Sequence, residues 1–136
     1  MTTPLTSPVG VFAGGLIGVV VIFQLALAAG APWGAAAYGG RAVQHDGRLP
    51  PRYRVASVCT ALVLTGALWL VLAAGAVIDP APLSESVLGV GAWILAGLFA
   101  LNTVGNLAGR HPAERWGAGG VTAVLTLLCV WIAATR

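Results

Sequence analysis

The stretch GRAVQHDGRLPPRYR, from Gly40 to Arg54, interrupts two long apolar runs. It carries Arg41, Arg48, Arg52 and Arg54, four of the seven basic residues, together with His45 and Asp46. Asp46-Gly47 signals a turn and Pro50-Pro51 a stop. Loops on the cytoplasmic face of a bilayer carry the arginine and lysine excess, so this segment orients the whole chain.

Working outward, apolar runs cover about residues 9–33, 54–78, 85–108 and 113–134. Each is long enough to cross a hydrocarbon core, which takes about 20 helical residues. Pro8 stands at the start of the first run, and Pro32 in Ala31-Pro32-Trp33-Gly34 ends it. The segment from Ala35 to Gly40 makes at best a weak interfacial turn, because of its glycines. Asp79-Pro80-Ala81-Pro82 breaks the second run, and the short link to Ser84 makes the second and third helices antiparallel neighbours. Ser84 and Glu85 form an N-cap and acidic first turn. Pro112 and Glu114, at the first and third positions, start the last helix, with Glu114 capping it.

The expectation is an all-α fold: a single transmembrane domain over residues 1–136, a four-helix bundle in antiparallel up-down order. Both termini are extracytoplasmic, and loops 34–53 and 109–112 lie in the cytoplasm of a multi-pass cell-membrane protein. The charges agree with this sidedness. Arg41, Arg48, Arg52 and Arg54 outweigh Asp46 in the first turn, and Arg110 and Arg115 outweigh Glu114 in the second. The outer loop holds only Asp79 and Glu85. The start MTTPLTSPVG has no basic residue, so it reads as the beginning of a retained span rather than a cleaved signal.

Composition supports the same class. The chain is 58% hydrophobic and 8% charged, with mean hydropathy +0.91, whereas a soluble domain carries roughly 25% charged residues. Lipid must therefore be the solvent for most of the surface. The net charge is +3, and every basic residue is arginine, as in the codon usage of a high-GC genome. The arginines sit in turns rather than along one face, which excludes nucleic acid as a partner. Cys59 and Cys129 fall near opposite ends of the spans, so no disulfide is expected. Trp116 and Trp131 mark the two interfaces of the last helix, while Trp69 and Trp93 lie deeper, at matching depth in neighbouring helices.

No ionisable residue lies in the middle of a span, where proton-coupled transporters keep one. The small four-helix multidrug exporters depend on a membrane-embedded glutamate that has no counterpart here. Gln24, Asn102, Asn106 and Thr122 form a candidate polar pocket in the cytoplasmic half, with Asn102 and Asn106 on one helix face. The plainer reading is interhelical hydrogen bonding, worth on the order of 0.6–2 kcal/mol per group. Gly10, Gly14 and Gly18 make overlapping GxxxG patterns, a helix-packing seam that serves contact within the bundle or, as the sharper reading, a homodimer. Arg110 and Arg115 are candidate lipid-headgroup contacts. His45 and His111 sit in turns. Haem between helices needs axial ligands in or at the ends of spans, which His111 could supply and His45 only by a fold-back. The Cys/His spacing matches no zinc pattern, so no metal or cofactor is expected. No hydrolase, phosphate-loop or metalloprotease motif occurs.

The stretches LPPRYRVAS (Leu49–Ser57), NLAGRHPAERW (Asn106–Trp116) and GAPWG (Gly30–Gly34) resemble a group of small four-span integral membrane proteins of unknown function from high-GC Gram-positive bacteria. The resemblance covers most of the chain. It implies the four-span build and carries over no activity and no functional residue.

The leading reading is a non-enzymatic inner-membrane protein with a structural or accessory role, its partners being membrane lipids and a second copy or another membrane protein. One alternative is a small channel or carrier for a neutral or lipidic solute. The other is a lipid-modifying membrane enzyme using His111, Glu114 and the arginines, which requires those groups to converge.

Overall fold

The computed structural model describes residues 4–136. Four long helices run in chain order: α1 Thr6–Ala29, α2 Pro51–Ala74, α3 Glu85–Leu107 and α4 Gly119–Ala134. A π-helical stretch, Ala113–Ala118, leads directly into α4. No strand occurs among the described residues, so the all-α expectation holds. The first three residues of the polar N-terminal start lie outside the described residues.

The C-terminal ends of two helices fall short of the sequence expectation, both through left-handed residues. α1 stops at Ala29 rather than near Trp33 because Gly30 takes φ 99°, and Ala31 N–H turns back to Ala26 O at 2.9 Å. Glycine pays no Cβ penalty there, so the helix closes before Pro32 is reached. α2 likewise stops at Ala74 rather than near Ile78. Ala76 takes φ 55° and Val77 N–H reaches Leu72 O at 2.8 Å. At the other end α2 begins at Pro51, three residues early, since proline's missing N–H is no loss in a first turn. Ser84 caps α3 as expected, accepting Val87 N–H at 3.4 Å.

α1 packs along α2, and α3 along α4. The first pair comes closest at Gly10 and Gly75: a Cβ added to Gly75 would stand 2.6 Å from Gly10 Cα. One turn on, Gly14 receives Leu72, whereas Gly18 has nothing within 4 Å of its Cβ position. Leu70 of α2 fills the space over Gly91 of α3. Ile17, Val71, Leu88, Phe99, Leu125 and Ile132 then meet in one core contributed by all four helices.

The remaining apolar surface faces outward. Ile22, Leu62, Leu101 and Leu127 are 68–72% exposed, and only 22–33% of the most apolar stretch of each span is buried. Water would penalise such a surface heavily; hydrocarbon does not. α1, α2, α3 and the continuous Ala113–Ala134 segment formed by the π-helical stretch and α4 are each long and apolar enough to cross a membrane, which gives the chain the build of a multi-pass membrane protein. Trp69 and Trp93 also point outward, 40% and 52% exposed.

The ends are tied across the bundle. Arg136 donates to Ala74 O and pairs with Glu85, and Ser7 Oγ donates to Ala76 O at 3.1 Å. These contacts gather the described chain ends and the Asp79–Ser84 link at one end. The two arginine-bearing turns meet at the other. Cys59 is exposed and Cys129 buried, and both are free thiols.

Candidate functional site

The polar chemistry collects at the arginine-rich end, where the first loop folds into a cap. Leu27, Ala37 and Leu49 form a small second core beneath Phe23, Tyr38 and Tyr53. The loop closes on itself where Gly34 N–H donates to Gly47 O at 2.8 Å, a contact so close that a Cβ on Gly34 would sit 2.9 Å from that oxygen. Two 3-10 turns, Gly34–Ala36 and Tyr38–Gly40, occupy the segment expected to be only weakly structured. Tertiary contacts override the low propensity of its glycines. Tyr38 is held at φ 52° by its hydroxyl, 3.0 Å from Ser57 Oγ, and by its ring against Tyr53 at 5.1 Å. Ser57 is completely buried. Phe23 and Trp33 stack with parallel rings 6.3 Å apart.

This backbone path aims Gly39 N–H at the second turn, where Glu114 Oε1 accepts it at 2.9 Å. Glu114 is 5% exposed, and its Oε2 has no hydrogen-bond partner. The expected capping of its own helix is therefore replaced by a bond across 75 residues of chain. The π-helical stretch supplies the geometry, since its wider turn re-aims side chains relative to an α-helix. Gly109 makes room for the carboxylate: a Cβ there would lie 2.7 Å from Glu114 Cδ. No arginine or histidine among the described residues forms an ion pair with Glu114.

Two arginines act on helix ends. Arg54 Nε donates to Ala28 O at 2.8 Å, placing a cation on the negative end of the α1 dipole. Arg115 Nε does the same for the end of α3 through Gly109 O at 3.3 Å, yet the residue stays exposed, as does Arg110. Arg52 lies over the Tyr53 ring at 5.0 Å. Arg48 and Asp46 pair loosely at 3.9 Å, both largely exposed, and contribute little.

Searches of protein-family models, curated proteins and solved structures found no match. What the site can do must follow from its own chemistry.

Of the four candidate pocket residues, the structure joins two. Asn106 Nδ2 donates to Thr122 Oγ1 at 3.4 Å, and Thr103 Oγ1 lies 2.9 Å from the same oxygen. Thr122 is buried and its hydroxyl also reaches Ala118 O at 2.9 Å, so the group stitches α3 to α4. Asn102 turns outward and donates to Leu98 O of its own helix at 2.9 Å. Gln24 lies half-buried on α1 with Oε1 buried and unpartnered, and no hydrogen bond links it to Asn106 or Thr122. His111 is exposed, its Nδ1 accepting Ala113 N–H at 3.1 Å, and no hydrogen bond joins it to Glu114. Among the described residues no three of His, Cys, Asp and Glu gather as a metal site would require.

Sequence reasoning missed Gly39, Ser57, Gly109 and the capping role of Arg54. Only the last left a signal: an arginine in the first turn of one helix stands beside the end of its antiparallel predecessor.

Proposed function

We propose that the chain is a non-enzymatic, multi-pass membrane protein with a structural or accessory role, its arginine-rich end in the cytoplasm. The observation that carries this reading is the use to which the polar groups are put. Glu114 latches one turn to the other, Arg54 and Arg115 close helix ends, and the Thr103–Thr122–Asn106 group joins two helices. Each is engaged in holding the fold, and none converges on a vacant reaction centre.

The sidedness rests on the arginine excess of the two turns that meet at this end. Bilayer lipids are the immediate partners, with Arg110 and Arg115 both exposed and within reach of headgroups. The outward apolar faces leave room for a second copy or another membrane protein. A carrier lined by Gln24, Asn102 and Asn106 draws less support, because Asn102 faces outward and Thr122 is occupied by its neighbours. Reporter fusions after Gly47 and after Pro82 test the orientation: activity only in the cytoplasm for the first and only outside for the second is expected. Crosslinking in native membranes tests the accessory role. A chain that captures neither itself nor another membrane protein would remove it.

A further inference from the structure

Beside the Arg54 cap, the outer surface of the α1–α2 pair has a recess of about 280 Å³ lined by Ala28, Pro51, Arg54, Val55 and Val58. We infer that this recess is a binding site for an anionic phospholipid, its phosphate on the Arg54 guanidinium and one acyl chain along Val55 and Val58. This rests on the membrane reading above and adds to it a specific ligand at a specific place.

Three observations converge. First, Arg54 is half-buried, yet only its Nε has an acceptor, leaving the Nη hydrogens without one, and no carboxylate among the described residues pairs with it. A guanidinium presents five donors in a fixed fork that matches a phosphate, and a cation partly withdrawn from water needs an anion nearby. Second, the walls are apolar and turned outward: Val55 is 63% and Val58 42% exposed. A free inorganic anion has no use for such walls, whereas an acyl chain does. Third, the recess lies at the junction of the α1 C-terminus and the α2 N-terminus, the level at which headgroups meet the hydrocarbon of a spanning pair. Ala28 O holds Arg54 Nε at that level, which fixes the rest of the guanidinium beside the recess. An uncharged zwitterionic lipid would satisfy the walls but bring its own cation, so charge complementarity selects a net-negative headgroup.

The test uses the full chain purified in a non-ionic detergent and titrated with dioleoylphosphatidylglycerol or dioleoylphosphatidylcholine. Bound lipid is read by native mass spectrometry and stability by thermal unfolding. The wild type should retain and be stabilised by the anionic phosphatidylglycerol over the phosphatidylcholine, with selectivity falling about fivefold in Arg54→Gln, the factor for one basic contact at an anionic surface. Val58→Trp fills the recess from an exposed position and keeps the Arg54 side chain in the sequence, so it carries the test if Arg54→Gln fails to fold; it should lose retention comparably. A paired Arg110→Gln and Arg115→Gln variant should keep it. Equal retention of both lipids, selectivity that survives Val58→Trp, or an equal loss in the Arg110/Arg115 variant would overturn the site. Displacement by soluble glycerol phosphate at matched concentration would overturn its assignment to a lipid. Carbonate extraction of native membranes reads membrane insertion separately, so failure here is distinguishable from failure of the membrane reading.

Discussion

Gly10, Gly14 and Gly18 look equivalent in sequence, but alanine at each should have a different effect. A Cβ on Gly10 would meet Gly75 Cα at 2.9 Å and Val77 Cγ2 at 3.0 Å. Because the first of these is backbone, α1 and α2 must move apart. On Gly14 the nearest atom, at 2.8 Å, is Leu72 Cδ2, the tip of a flexible side chain that can rotate. On Gly18 there is open space. Overpacking costs about 1–3 kcal/mol, while replacing a helical glycine by alanine gains about 0.5–1 kcal/mol. Gly10→Ala should therefore lose about 1–2 kcal/mol net, Gly14→Ala should come out near zero, and Gly18→Ala should be neutral or gain a few tenths. Unfolding in mixed SDS and non-ionic micelles measures all three. The same series run with leucine separates packing within the chain from association between chains. Gly18→Leu should leave the monomer fold intact and disturb only contact with a second copy, whereas Gly10→Leu should damage the fold. A neutral Gly10→Ala, or a Gly18→Ala as costly as Gly10→Ala, would refute this account of the α1–α2 contact.

Other consequences follow from the capped end and the α2 terminus. Glu114→Ala leaves the Gly39 N–H without its acceptor and should cost about 1–3 kcal/mol, and it should raise protease cleavage between Arg41 and Arg48. Gly109→Ala should displace the same carboxylate, so a double-mutant cycle with Glu114→Ala should show strong non-additivity. Tyr38→Phe leaves the buried Ser57 hydroxyl unpaired and should cost at least about 1 kcal/mol, part of it recovered by adding Ser57→Ala, as read by thermal unfolding. Ala76→Gly should stabilise by up to about 1 kcal/mol, since it relieves a left-handed alanine at the end of α2; circular dichroism melts would show it.

The four spans, their alternation and the opposite charge character of their connections could all be read from the chain itself. Transfer of an apolar side chain into hydrocarbon is a local property, and some twenty such terms add along a helix whatever it packs against. Proline and glycine at the span ends were equally visible, although the actual stops at Ala29 and Ala74 came earlier, through left-handed residues whose place depends on cap bonds. The partners of individual groups were not legible. Glu114 and Gly39 are 75 residues apart, Arg136 and Ala74 are 62, and which side chain faces which depends on how each helix is rotated about its axis. That rotation also decides why a Cβ is crowded at Gly10 and free at Gly18. Close packing acts over tenths of an ångström between surfaces distant in sequence, and only the assembled bundle sets those distances.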